Sequence, residues 1–96
     1  MVEIKWSESA KNDFKNIISY ISQDSPSYSE YFIKGILEKI EFLQDFPEMG
    51  RRVPESDDPN DRELNFQRYR IIYYVSQKSI TIEMIIHGSR LLKYDK

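Results

Sequence analysis

Apolar and polar positions along the 96-residue chain change rhythm three times. Val2, Ile4 and Trp6 alternate with Glu3 and Lys5, the period of a half-buried strand. Ser7 then offers an N-cap oxygen, and Ala10, Phe14, Ile17, Ile18 and Ile21 fall on one stripe with Lys11, Asn12, Lys15, Asn16 and Ser22 facing away. This predicts an amphipathic helix of about 17 residues. Pro26 is disfavoured inside a helix but suits the first position of a new one, which makes Ser25 the expected N-cap. Tyr28, Phe32, Ile36, Ile40, Leu43 and Phe46 advance by three or four and place the second helix from about Pro26 to Asp45, with Tyr31, Leu37 and Phe42 widening its stripe. A two-residue connection folds the pair into an antiparallel hairpin. Gly35, mid-helix, costs on the order of 1 kcal/mol relative to Ala, which a close helix–helix crossing would explain.

The segment from Pro47 to Asp61, PEMGRRVPESDDPND, has no period and reads as a long loop, a feature that is often functional in a small domain. Gly50 in it suits a turn position with positive φ. Strand patterns follow: Glu63 to Phe66, Tyr69 to Val75 (YRIIYYV), a turn at Ser76 to Ser79, and Ile80 to His87. In the last of these, alternation puts Ile80, Ile82, Met84 and Ile86 on one face and Thr81, Glu83, Ile85 and His87 on the other. The order β-α-α-β-β-β makes an α+β domain over residues 1–96, its N-terminal helical hairpin packed on one face of a small antiparallel sheet. The first strand is expected to rejoin the sheet, since an exposed apolar edge invites aggregation. The other sheet face would be left open to a partner.

Composition narrows the chemistry. A chain this long buries roughly 65% of its unfolded surface in one core, too little for separate catalytic and regulatory domains. With no cysteine there is no disulfide, thiolate nucleophile or ordinary structural zinc site. The N-terminus lacks the pattern of a signal peptide and no apolar run is long enough to span a bilayer, so a cytoplasmic protein without membrane contact is expected. The net charge of −2 hides an asymmetry: residues 1–61 carry 7 basic and 13 acidic side chains, and residues 62–96 carry 7 and 3. The second part thus offers an electropositive face on an otherwise acidic molecule, although a scatter of solvated charges gives the same count.

Arg70, His87, Arg90 and Tyr94 are the residues best suited to catalysis. Histidine titrates near neutrality, arginine grips phosphate with two parallel donors, and tyrosine donates a proton or stacks on a base, so the group could cleave RNA without a metal. The same residues also have a purely structural reading: a strand-end His capping a turn, an Arg paired with Glu83 and a Tyr closing the sheet edge. Asp57, Asp58 and Asp61 have no known metal-ligand spacing and read as a solvated loop, so no metal or cofactor is expected. Phe66, Tyr69, Tyr73 and Tyr74 could form a stacking platform for single-stranded nucleic acid, or serve as core or as anchors for a docking peptide.

Taken in order, Ser7 to Pro26 (SESAKNDFKNIISYISQDSP), Phe46 to Arg51 (FPEMGR), YRIIYYV and Ile85 to Leu92 (IIHGSRLL) resemble the RelE/ParE superfamily of toxins from type II toxin–antitoxin modules, and are closer to its ParE branch. The resemblance implies a cytoplasmic toxin held inactive by a cognate antitoxin that wraps the sheet and helical hairpin. It implies one of two activities, poisoning of DNA gyrase in the ParE branch or ribosome-dependent mRNA cleavage in the RelE branch. A third alternative is a member that has lost toxicity and survives as a binding module. Arg70 matches the strand arginine common to both branches, and Arg90 and Tyr94 fall where RelE-type members carry catalytic residues, with His87 beside them. RelE-type members also carry basic residues on their second strand, where this chain reads Glu63-Leu64-Asn65-Phe66. That departure and the overall acidity favour gyrase over the ribosome and mRNA as target. A homodimer and a toxin–antitoxin hetero-oligomer are both compatible with these features.

Overall fold

The computed structural model describes residues 2–92, so Tyr94 lies outside the described residues. The chain runs through β1 (Glu3–Trp6), α1 (Glu8–Asp24), α2 (Pro26–Glu41), a 3-10 turn (Phe42–Gln44), β2 (Arg51–Arg52), β3 (Asp61–Phe66), β4 (Tyr69–Val75) and β5 (Ser79–His87). This is the α+β order expected, with the two-residue β2 added ahead of the meander. Both helix starts obey their caps: Ser7 Oγ accepts from the Ala10 N–H at 3.0 Å and Ser25 Oγ from the Tyr28 N–H at 3.2 Å. Ser25 alone joins the helices, because its own N–H also closes α1 on the Ile21 carbonyl.

The sheet order is β1-β5-β4-β3-β2. Strand β1 does rejoin the sheet, but parallel to β5, so the sheet is mixed rather than wholly antiparallel. The helical hairpin supplies the crossover that a parallel neighbour requires. Helix residues Ala10, Phe32, Ile36 and Ile40, with Leu43 from the 3-10 turn, pack on Leu64, Ile71, Tyr73, Ile80, Ile82 and Ile85.

The expected alternation of β5 fails at Glu83. Ile72 pairs with Met84 but Tyr73 pairs with Ile82, which leaves Glu83 as the additional residue of a β-bulge. Ile85 and His87 therefore join Ile80 and Ile82 on the helix side, and Met84 and Ile86 move to the other face. Groups from α1 satisfy the backbone that the bulge disturbs: Ser7 Oγ donates to the Glu83 carbonyl at 2.8 Å, and an Asp13 carboxylate oxygen accepts from the Ile85 N–H at 2.9 Å. A period of two, read along one strand, carries no trace of these partners.

Two glycines act differently from expectation. A Cβ on Gly35 would run into the Phe66 ring, so the close approach is helix to sheet rather than helix to helix. Gly50 has no positive φ; a Cβ there would meet the Glu63 carbonyl and, at 2.7 Å, the Tyr73 hydroxyl. Tyr31, Leu37 and Phe42 do not widen the core stripe either, being 58%, 42% and 57% exposed, and Phe46, expected in the stripe itself, is 59% exposed. Among the described residues, no helix is long and apolar enough to cross a membrane.

Candidate functional site

The face of the sheet opposite the helices is not left bare. Across β3, β4 and β5, Asn65 pairs with Arg70 and Arg70 with Ile86, while Phe66 pairs with Tyr69 and Tyr69 with His87. Directly paired residues point to the same side of a sheet and neighbours along a strand to opposite sides. Tyr69 packs edge-on against the core ring of Phe32, so Tyr69 and His87 face the helices and Arg70 faces away. Two of the residues singled out for catalysis therefore lie on opposite faces.

Arg70 is 5% exposed, and each of its N–H groups has an internal partner. Its Nε meets the Glu63 carboxylate at 3.2 Å, and Nη1 donates to Glu55 at 2.8 Å and to the Arg90 carbonyl at 3.0 Å. Nη2 completes the set on Glu55 at 2.7 Å and on Glu63. Glu63 is itself fully buried, with Arg51 at 3.2 Å on its second oxygen. The Glu55 carboxylate also accepts from the Leu92 N–H at 3.0 Å. The hydrogen bond from Arg70 holds the Glu55 carboxyl down at about 2 against the opposing effect of burial, with the Leu92 N–H assisting. The same bond to Glu55 raises the Arg70 guanidinium above its ordinary value. The partner is not Glu83, whose half-buried carboxyl is pushed above the ordinary range by burial, with Asp61 and Asp58 adding to it.

The cluster ties three distant stretches together: the 53–60 loop through Glu55, β3 and β4 through Glu63 and Arg70, and the chain end through the Arg90 carbonyl and Leu92 amide. His87 is exposed, stands edge-on to Tyr69 with centroids 5.7 Å apart, and shares Nδ1 with the hydroxyl and N–H of Ser89 at 2.8 and 3.2 Å. It caps the turn that follows β5. The Arg90 side chain is exposed. The described part of the candidate set is thus one buried, ion-paired arginine, one turn-capping histidine across the sheet, and one solvent-facing arginine.

The FPEMGR turn is keyed by the strands. The fully buried Tyr73 hydroxyl donates to the Pro47 carbonyl at 2.8 Å and accepts from the Gly50 N–H at 2.9 Å. Arg62 adds a bond to the Gly50 carbonyl at 2.9 Å. Tyr73 is therefore no stacking platform, and burial raises its phenol above the ordinary value. Beyond Glu55 the acidic loop also holds itself: Ser56 Oγ donates to Asp61 at 2.5 Å, and Asp58 accepts from the Asn60 N–H at 2.9 Å. Among the described residues no three metal-type ligands come together.

The sequence pattern gave Glu55 and Glu63 no role in a site, and it marked Tyr73 as a stacking surface, core or docking anchor rather than as the key of the FPEMGR turn. A signal for Glu63 existed: the tight Gln67-Arg68 turn, with Gln67 at φ 54°, sets Phe66 opposite Tyr69 and so puts Glu63 and Arg70 on one face.

The comparisons with known proteins bear on this geometry. The family model described as ParE toxin of type II toxin-antitoxin system, parDE, matches residues 4–92. Among solved structures, a chain of the chromosomal ParDE TA system from P. aeruginosa superposes with a TM-score of 0.73 at 26% identity, over 91% of this chain and 96% of that one. No curated protein matches. The family match runs from β1 through the FPEMGR turn, the Arg70 strand and the HGSR segment, and the chain belongs to the ParE toxin family of type II toxin–antitoxin systems.

Proposed function

We propose that this chain is a single cytoplasmic toxin domain that acts by binding DNA gyrase and is neutralised by a cognate antitoxin in a toxin–antitoxin hetero-oligomer. One observation carries the choice of target: the guanidinium of Arg70 has all of its donors in internal bonds, so it has none to offer a phosphate without breaking a buried ion pair. Ribonuclease chemistry on this face would need that guanidinium and His87 on one side, and they are divided by the sheet. Toxicity by this reading needs a surface, not a catalytic set or a cofactor. Purified toxin should inhibit supercoiling of relaxed plasmid by gyrase at micromolar concentration, and addition of the antitoxin should restore it. Full supercoiling in the presence of the toxin alone would refute the proposal.

The second reading, ribosome-dependent mRNA cleavage, leans on the exposed His87 and Arg90. Primer extension on translated message would show codon-positioned cuts that Arg90→Ala removes.

A further inference from the structure

Where the two helices meet, the end of the domain holds a cleft that shares no residue with the Arg70 cluster or the FPEMGR turn. Its volume is about 380 Å³, within the roughly 300–1,000 Å³ range of ligand pockets. Helix α1 contributes Tyr20 and Ile21 near its end, helix α2 contributes Tyr28 from its first turn, and the helix-facing side of the sheet contributes Tyr69 and His87. The Gln67-Arg68 turn between β3 and β4 closes the rim.

The cleft offers donors and no carboxylate. The hydroxyls of Tyr20, Tyr28 and Tyr69 have no hydrogen-bond partner among the described residues. Burial raises the Tyr69 phenol above its ordinary value, with Tyr20 and Tyr28 adding to it, so this hydroxyl stays protonated at neutral pH. His87 is a donor as well. The Ser89 N–H can only donate, so Nδ1 accepts it at 3.2 Å and the proton of the neutral ring sits on Nε2, which has no partner among the described residues. Arg68 is exposed, and its guanidinium has no ion pair or hydrogen bond among the described residues. Donors grouped around an uncompensated positive charge suit an anion with several acceptor oxygens, and a phosphate matches the fork of a guanidinium. The same charge repels the cations that a cage of tyrosines otherwise takes.

The remaining surface is aromatic. Tyr20 is 67% exposed with no ring contact among the described residues, so a ring face is open to stacking. Tyr28 and Tyr69 are braced from behind, by Tyr31 with centroids 6.0 Å apart and by Phe32 at 5.4 Å. The turn that carries Arg68 is strained: the φ of 54° at Gln67 is the one positive value among the described residues, and such conformations recur at ligand clamps. The Gly88 N–H holds the Arg68 carbonyl at 2.6 Å, which pins this turn to the end of β5 beside His87.

We infer that the cleft binds a nucleotide unit, its base stacked on Tyr20 and its phosphate held by Arg68, the Tyr28 and Tyr69 hydroxyls and His87 Nε2. The unit is a free nucleoside monophosphate or the phosphorylated end of a single strand, which present the same base and phosphate. No bond is made or broken. The inference does not depend on gyrase being the target, and Arg70, buried on the other face of the sheet, takes no part in it.

Calorimetric titration of the full-length toxin with deoxyadenosine 5′-monophosphate, deoxyadenosine, inorganic phosphate and a short 5′-phosphorylated oligodeoxyadenylate tests it. The monophosphate should bind about tenfold more tightly or better than deoxyadenosine or phosphate alone, because only it engages both the ring and the donors. Arg68→Ala and Tyr20→Ala change exposed side chains; each should keep the parent's thermal midpoint and weaken the monophosphate about tenfold. In NMR spectra of the unmodified toxin, the ring signals of Tyr20, Tyr28, Tyr69 and His87 should shift, a readout that needs no variant. Tighter binding of the oligonucleotide than of the monophosphate assigns the source to a strand end, and equal binding assigns it to the free nucleotide; both support the site. No binding of either at about 5 mM overturns the inference. So do phosphate binding as tight as that of the monophosphate, unchanged affinity in both variants, and shifts confined to Arg51 and Arg52 on β2. Each of these leaves the gyrase reading intact.

Discussion

Replacing Arg70 by Met separates a structural arginine from a catalytic one. The change deletes the charge facing the fully buried Glu63 and leaves that carboxylate with Arg51, whose side chain is 61% exposed, at 3.2 Å. It also removes both donors to Glu55 and the bond to the Arg90 carbonyl. Breaking a buried pair by removing one partner costs about 3–5 kcal/mol, because the remaining charge stays desolvated. A domain of this size is stable by roughly 5–14 kcal/mol in total. At about 4–8 °C per kcal/mol, the thermal midpoint should fall by at least about 12 °C. Urea melts should show the same loss, and the Leu92 amide should exchange faster as Glu55 loses its orientation. The compensated variant Arg70→Met/Glu63→Leu removes both buried charges and should recover most of the stability. Growth arrest on induction without antitoxin then decides the role: a structural arginine predicts arrest restored with stability. A compensated variant that is stable but harmless refutes the argument and returns Arg70 to phosphate chemistry. A single variant that melts like the parent refutes the burial reasoning itself.

The remaining predictions concern the neighbours of that cluster. The folded-state value of Glu55, about 2, lies below the ordinary 4.5, so its stabilisation is complete above about pH 5 and is lost as pH falls through 2. Linkage puts this on the order of 3 kcal/mol, and Glu55→Gln should flatten the dependence of the urea midpoint on pH across that window. Glu83 has the opposite sign: its raised carboxyl weakens the fold where it is ionised, so Glu83→Gln should stabilise at pH 7 and show no advantage in acid. Tyr73→Phe should cost about 1–3 kcal/mol by leaving the Pro47 carbonyl and Gly50 N–H without their partner, read as a lower urea midpoint. Asp13→Ala should cost a similar 1–3 kcal/mol, roughly, through the Ile85 N–H, with faster exchange at that amide as a check.

What the sequence made legible depended on whether the cause was local. The starts of both helices were readable because Ser7, Ser25 and Pro26 act on the backbone within three residues. The strand Tyr69–Val75 was readable because β-branched and aromatic residues mark it without help from elsewhere. Each departure has a partner far along the chain. The bulge at Glu83 is satisfied by Ser7 and Asp13, more than 70 residues away in sequence. Gly35 answers to Phe66, and Gly50 to Glu63 and Tyr73. Helical period alone counted Phe42 and Phe46 as core, since it records that a side chain is apolar and not whether a partner element exists to cover it.

The Arg70 site shows the same limit in chemistry. A strand arginine, a strand-end histidine and a following arginine look alike in sequence whether they converge on a phosphate or not. The pairing Tyr69 with His87 and Arg70 with Ile86 is what parts them, and it follows from hairpin register, which a tight turn fixes but residue type does not. Where register could be read, at Gln67-Arg68, it places Glu63 on the face of Arg70, and a buried acid beside an arginine already argues for a structural pair. The acidic first strand of the meander and the sequestered arginine are therefore one feature: a basic residue at Glu63 would remove one of the two carboxylates that hold Arg70 out of solution.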